Sequence, residues 1–162
     1  MSESLMGCGP CVWDALRMAG WRAGHTVTTG DWTRQLTAAG FELNDVAVGI
    51  WAEFGGLTIK SCPARAPASS LCMDPVDACI DTAAEAASLK LRYGENYSPL
   101  GTWSVQFRSY VAAGGRVVAV GPNVLWSLGS TFAEALVYVV YGDGGVDRAE
   151  QADWLGNCLT GR

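Results

Sequence analysis

Residues 51–59 read Trp-Ala-Glu-Phe-Gly-Gly-Leu-Thr-Ile and constrain the fold more than any other stretch of the chain. Upstream, apolar side chains recur at a spacing of four and predict a helix that ends near Phe54. Gly55 is expected to adopt positive φ and end this helix, because it has no Cβ to clash there. Residues 57–59 then alternate apolar and polar, as in a half-buried strand. This stretch therefore predicts a direct passage from a helix to a strand.

Capping residues predict further helices. Pro10 suits the first turn of a helix, where its missing N–H costs nothing. Asn44 is positioned to cap the helix that ends near Phe54. Thr131 and Glu134 have the spacing of a capping box and predict a final helix.

The longest predicted helix opens at Asp74-Pro75 and ends before Gly94. Spacing on a continuous helix gives it a buried face. That face is expected to contain Val76, Ile80, Ala83, Ala87 and Leu91.

Strand signals dominate the second half of the chain. Residues 97–101, Tyr-Ser-Pro-Leu-Gly, are typical of a turn, and residues 103–110 alternate as a strand does. Gly114-Gly115 predicts a tight hairpin, followed by β-rich runs at residues 117–120 and 124–128. Together these patterns predict an antiparallel meander.

Composition restricts the class of protein. The 162 residues fit a single domain, and a net charge of −5 argues against nucleic acid as a partner and favours a cationic one. The apolar runs fall short of the roughly 18 residues of a membrane span, and no signal-peptide pattern precedes them, so we expect a cytoplasmic protein. We divide it into a flexible N-terminus (1–11), a domain (12–142) and a tail (143–162).

The order of short motifs along the chain resembles the SUKH superfamily, in particular its third subgroup. The motifs are Ala19-Gly20-Trp21, Gly24-His25, Trp32 with Leu36 and Gly40, Glu53-Phe54-Gly55-Gly56-Leu57, Asp74-Pro75, Pro99-Leu100-Gly101, Gly115-Arg116-Val117-Val118, Leu128-Gly129 and Glu134-Ala135-Leu136. The resemblance covers about residues 12–142. It implies an α+β fold, in which an antiparallel sheet is flanked by helices.

The resemblance also implies a function. SUKH proteins serve bacteria as immunity proteins that bind and neutralise a polymorphic toxin, often a nuclease or a nucleic-acid deaminase. It implies no catalytic residues, and we expect no cofactor. The expected partner is a cognate toxin, and the negative charge of this chain favours a basic one. A regulatory or scaffold module of the same fold is an alternative, and so is a thiol redox or metal-handling protein.

Acidic residues on the longest predicted helix form a candidate partner-binding ridge. Asp74, Asp77, Asp81 and Glu85 fall within one arc of a continuous helix. Such a ridge would attract a basic substrate groove and exclude phosphate from it. The simpler interpretation is that carboxylates near a helix N-terminus complement the helix dipole. Trp103 and Trp126 are candidate interface anchors, although most tryptophans are expected to lie in the core.

Cysteine motifs carry the alternative chemistry. Cys8-Gly-Pro-Cys11 at a helix start favours a lowered thiol pKa, but too few residues precede it for the buried strand of a thioredoxin site. Zinc binding by this pair with Cys62, Cys72 and Cys79 is a further possibility, although the spacing does not match paired zinc knuckles. The sequence has a single histidine, His25, and no glycine-rich phosphate loop, so it predicts no catalytic site.

Overall fold

The computed structural model describes residue 5, residues 7–143 and residues 145–155. The helices in these residues are α1 Pro10–Met18, α2 Gly30–Ala38, α3 Asp45–Phe54, α4 Pro75–Cys79, α5 Ala83–Tyr93 and α6 Phe132–Tyr141. The strands are β1 Thr58–Lys60, β2 Ser70–Cys72, β3 Tyr97–Trp103, β4 Phe107–Ala112, β5 Val117–Gly121, β6 Val124–Gly129 and β7 Ala149–Gln151. No helix within this part of the chain is long and apolar enough to cross a membrane.

The strands form one seven-stranded sheet in the order β1 to β7, and every neighbouring pair is antiparallel. The expectation of an α+β fold with an antiparallel meander is therefore confirmed. The meander also extends beyond the predicted half, since β1 and β2 precede it and β7, from the tail, pairs with β6.

Helices cover both faces of the sheet. Phe107 and Arg108 are neighbours on β4, so their side chains point to opposite faces. Arg108 donates hydrogen bonds to Glu85 on α5. Trp103, the cross-strand partner of Phe107, lies with its ring centroid 6.0 Å from that of Tyr138 on α6. Helices α5 and α6 therefore pack on opposite faces.

Local signals place the helix starts correctly. Asn44 Oδ1 accepts a hydrogen bond from the Ala47 N–H at 2.8 Å. Asp74 accepts from two backbone N–H groups at the start of α4, and Thr131 Oγ1 accepts from the Glu134 N–H at 3.1 Å. These caps satisfy backbone donors that a helix N-terminus leaves unpaired.

The single long helix predicted after Asp74 is wrong, because α4 ends at Cys79 and α5 begins at Ala83. Between them, Thr82 Oγ1 donates to the Cys79 carbonyl at 2.8 Å, a local side-chain bond that competes with helix continuation. The break changes which side of the second helix faces the core. Leu89 is fully buried, whereas Leu91, predicted to be buried, is 87% exposed.

The strand predicted over residues 103–110 is also wrong, because a turn at Ser104 and Val105 divides it between β3 and β4. Both residues have positive φ, 51° and 68°. Residues 97–101, predicted as a turn, belong to β3. Pro99 is tolerated there because the β2 ladder pairs only with Thr102 and Trp103, so its missing N–H removes no bond to β2.

The joint at residues 54–57 differs from the prediction in one respect. Gly55 has φ −57°, and the positive φ of 79° falls on Gly56. Gly55 is instead required for space, because an added Cβ would lie 2.5 Å from the Trp51 carbonyl oxygen and 2.7 Å from the Trp32 ring. The two glycines therefore serve different physical purposes.

We predict that Gly55→Ala and Gly56→Ala both destabilise the protein, the first more strongly. Overpacking costs about 1–3 kcal/mol, and a left-handed alanine costs about 1–2 kcal/mol. Gly55→Ala also meets a backbone oxygen, which has less freedom to move than a side chain. Urea unfolding of both variants measures the difference, and equal midpoints for Gly55→Ala and the unaltered protein would contradict the packing argument.

Candidate functional site

Four aromatic side chains cluster on the α6 face of the sheet. Trp103 ends β3, Phe107 begins β4, Trp126 lies on β6 and Tyr138 lies on α6. The Trp103 ring centroid is 5.2 Å from that of Phe107 and 5.3 Å from that of Trp126. The structure therefore brings together the two tryptophans that the sequence suggested as anchors.

Hydrogen bonds fix both indole rings. Trp103 is 5% exposed, and its Nε1–H donates to Ser69 Oγ at 2.8 Å. Trp126 is half-buried, and its Nε1–H donates to the Tyr138 hydroxyl at 3.0 Å. Trp103 consequently forms the base of the cluster, whereas Trp126 retains surface that another molecule can contact.

This aromatic cluster lines a cleft of about 940 Å³. Its walls come from residues 64–68, from the turn that joins β3 to β4, and from residues 142, 143 and 145–147. At that turn Val105 is 84% exposed, and Val146 is 64% exposed. Positive φ at a β-branched residue such as Val105 costs about 1–3 kcal/mol, and such strain concentrates at functional positions. We refer to this feature as the aromatic cleft.

Two arginines hold the walls of the aromatic cleft against Tyr138. The Arg65 guanidinium carbon lies 5.0 Å from the Tyr138 ring centroid, and that of Arg148 lies 4.1 Å away. Arg65 also donates to the Tyr138 carbonyl at 3.1 Å. Arg148 donates to the Leu128 carbonyl at 3.0 Å and to Asp143, whose carboxyl pKa is lowered by that bond. Cation–π contacts and hydrogen bonds thus position both walls.

The acidic residues do not form the ridge predicted for a continuous helix. Asp74 is half-buried as the cap of α4, whereas Asp77 and Asp81 are exposed. Glu85 is fully buried, so its predicted role in contacting a partner is wrong. It faces Arg108, on the opposite side of the sheet from the tryptophans.

Glu85 instead organises a buried polar network. It accepts from Arg108 Nε at 2.7 Å, from Arg108 Nη2 at 2.6 Å and from the Tyr110 hydroxyl at 2.6 Å. These bonds to Glu85 raise the pKa of Arg108, and burial raises the pKa of Tyr110. Burial also raises the pKa of the nearby Cys79 thiol to about 12. Arg108 and Tyr110 thus satisfy the buried Glu85 side chain, and the network stabilises the packing of α5 on β4.

In the thiol pair at the start of α1, Cys8 lacks the lowered pKa that a redox site requires. Cys8 is buried, its Sγ lies 3.8 Å from the Ala133 carbonyl oxygen, and burial raises its thiol pKa instead of lowering it. The Cys11 backbone N–H donates to the Tyr141 hydroxyl at 2.9 Å. A raised thiol pKa reduces the thiolate fraction that redox chemistry requires.

The zinc site and His25 are the remaining candidates from the sequence. Among the described residues, no group of three or more His, Cys, Asp or Glu side chains is placed to hold a metal. His25 Nδ1 lies 2.6 Å from the Glu53 carbonyl oxygen, at the last turn of α3. This contact ties the segment before α2 to the end of α3.

The sequence of the chain matches one known protein family. The family described as SUKH-3 immunity protein matches residues 10–142, most of the chain. The chain belongs to the SUKH-3 family. No curated protein and no solved structure matches it. The SUKH resemblance inferred from the motif order is thus confirmed, and the SUKH-3 region contains every strand of the sheet except β7.

Sequence reasoning missed most of the aromatic cleft of this SUKH-3 protein. Phe107 and Tyr138 have ordinary apolar spacing, so nothing marks them as neighbours of the tryptophans. Arg65 lies in a loop without a periodic pattern. The turn between β3 and β4 places Phe107 beside Trp103, and the sequence pattern predicts a continuous strand there.

We predict that Glu85→Ala strongly destabilises the protein. Removing one partner of a buried ion pair costs about 3–5 kcal/mol, because the Arg108 charge loses its compensation. Arg34→Ala is the control, since it breaks the exposed pair with Asp31 and should leave the urea midpoint almost unchanged. Similar midpoints for the two variants would contradict a stabilising role for the buried network.

We also predict that stability falls at high pH. The folded state keeps Cys79 and Tyr110 neutral, because burial raises both pKa values above the ordinary 9.0 and 10.0. Their contribution is therefore complete below pH 9 and is lost as the pH rises towards 12. Each group contributes a slope of at most about 1.4 kcal/mol per pH unit.

Urea unfolding at several pH values measures this loss, and Cys79→Ala should make the decline above pH 9 shallower. An unfolding free energy that stays constant between pH 8 and pH 11 would show that these groups are not protected in the folded state.

Proposed function

We propose that this SUKH-3 protein is a non-enzymatic immunity protein that acts in the cytoplasm. It binds a cognate bacterial polymorphic toxin of the nuclease or nucleic-acid deaminase type and blocks it by protein–protein association. Membership of the SUKH-3 family supports the immunity role. The single structural observation that supports a binding mechanism is the aromatic cleft.

The aromatic cleft has the chemistry of a protein-binding hot spot. Tryptophan and tyrosine are enriched where a few side chains carry most of the binding energy, usually inside a rim that excludes water. Trp126 offers a ring already fixed by its bond to Tyr138, so little conformational entropy is lost on binding. Val146, which lines the cleft, is 64% exposed and provides an apolar rim. We therefore place the toxin contact on Trp126, with Trp103 supporting it from below.

Charge supports a basic partner. The chain has a net charge of −5, and Asp77 and Asp81 are exposed near the break between α4 and α5. These carboxylates lie away from the tryptophans, so their proposed effect is to accelerate encounter and not to form the central contact. A toxin that acts on nucleic acid needs a basic substrate groove, and this charge would attract it.

Co-expression with the product of the neighbouring gene tests the function directly. We expect the two proteins to co-purify and the SUKH-3 protein to rescue growth of cells that express the toxin. Co-purification without rescue would instead favour a regulatory or scaffold module of the same fold.

We predict that Trp126→Ala weakens toxin binding by about 30-fold or more, the effect of losing a hot-spot residue worth at least about 2 kcal/mol. Leu91→Ala is the matched control, because it removes an exposed apolar side chain from α5, on the other face of the sheet. Titration calorimetry measures both affinities. If the two variants bind equally well, the aromatic cleft is not the toxin contact.

We predict that replacing Asp77 and Asp81 by serine slows association and makes its rate less dependent on salt, because the local field that attracts a basic toxin becomes weaker. Asp31→Ser with Asp153→Ser is the control, since these exposed residues lie elsewhere and change the net charge equally. Stopped-flow measurements at several salt concentrations separate the two. Identical association rates for the two double variants would show that only net charge matters, and not the position of Asp77 and Asp81.

A further inference from the structure

Strand β1 lies at one end of the sheet and, among the residues that the structure describes, has a neighbouring strand, β2, on one side only. The Leu57 carbonyl accepts from the Met73 N–H at 2.8 Å, and the Ser61 N–H donates to the Ser69 carbonyl at 2.9 Å. In an antiparallel ladder the backbone groups of alternate residues point to the same side.

Residues 57, 59 and 61 therefore direct their backbone groups towards β2. The N–H and carbonyl groups of Thr58 and Lys60 point the other way, towards the open edge. Unpaired edge groups of this kind are a template for another strand.

The open edge faces a groove whose other wall is α1. The groove has a volume of about 380 Å³, and its α1 wall includes Ala15, Met18 and Ala19. Asp14 also lies on this wall, where its carboxylate is paired with Arg17 at 2.8 Å. Met18 is 89% exposed, although it is a large apolar residue. Thr58 and Lys60, the two residues with outward backbone groups, line the same groove. A hydrogen-bonding edge and an apolar wall thus lie side by side.

We propose that this groove binds an extended segment of a partner protein, which adds to the sheet as a strand beside β1. Main-chain bonds to Thr58 and Lys60 would hold the segment, as in other cases of strand addition. The residue opposite Ile59 would point towards the α1 wall and would be apolar. This site goes beyond the proposed toxin contact, because it lies outside the aromatic cleft.

Charge determines which segment fits and argues against a second copy of this chain. The Lys60 ammonium forms no salt bridge with any residue that the structure describes, so an acidic residue opposite it provides a cross-strand pair. A second copy that paired through its own β1 would offer only Thr58, Ile59 and Lys60, none of which is acidic. The occupant is therefore an apolar and acidic segment of a different protein.

The test uses a random nonapeptide library displayed on phage and the full-length protein. We expect selected peptides to alternate apolar and polar residues with an acidic residue near the centre. Fluorescence anisotropy of the labelled peptides then compares variants. Thr58→Pro removes an N–H that points to the open edge, and it leaves the hydrogen bonds between β1 and β2 in place. Met18→Glu places a charge in the groove. Each should weaken peptide binding at least tenfold.

Gln151→Pro is the matched control. Gln151 lies on β7, at the opposite edge of the sheet. The Arg148 carbonyl accepts from the Ser127 N–H, and the Ala152 N–H donates to the Asn123 carbonyl. The backbone groups of Gln151, next to Ala152, therefore point outward as those of Thr58 do. It should bind the peptides normally. Amide hydrogen exchange adds an independent measurement, because the Thr58 and Lys60 amides should become protected when a peptide binds. Circular dichroism and urea unfolding check that each variant is folded.

Failure to enrich any peptide, or equal binding by Thr58→Pro and Gln151→Pro, would overturn the proposal. Sedimentation that reveals a dimer which Thr58→Pro dissociates would overturn it in favour of a second copy. The peptide assay needs no toxin, so its outcome is separate from growth rescue and from the Trp126 measurements.

Discussion

Tyr138 is the side chain on which the arrangement of the aromatic cleft depends. The guanidinium groups of Arg65 and Arg148 both contact its ring, and its hydroxyl accepts a hydrogen bond from the Trp126 indole N–H. Trp103 packs against the same ring from the sheet. Segments far apart in the chain therefore meet at one buried residue, and each cation–π contact supplies about 0.5–2 kcal/mol. The cleft is preformed because its walls are tied to the same ring as its base.

Features that depend on neighbouring residues were predictable from the sequence. The caps at Asn44, Asp74 and Thr131 form the expected hydrogen bonds, because a cap involves only residues two or three apart. The antiparallel meander was also predictable, since short loops between β-rich runs leave few other topologies. The start of α5 is the exception, because Thr82 forms no side-chain cap hydrogen bond there.

Features that depend on distant residues were not predictable. Glu85 is a charged residue on a helix, so the sequence predicts that it is exposed. Its burial is explained by the Arg108 and Tyr110 side chains from β4, which form hydrogen bonds with it. The turn at Ser104 and Val105 contains no glycine, asparagine or proline, so turn chemistry does not mark it. The Trp103 ring beside this turn packs against Phe107 and Trp126, and the contact with Trp126 joins residues far apart in the sequence.

Strand β7 has a consequence for the boundary of the SUKH-3 region, which ends at residue 142, before this strand. Ala149–Gln151 covers β6, a strand with Leu125, Leu128 and the half-buried Trp126. A chain shortened to residue 142 would leave that strand open, and open apolar strands promote aggregation between molecules. The segment beyond the family region therefore replaces an apolar edge strand by one whose Glu150 and Gln151 side chains are exposed and polar.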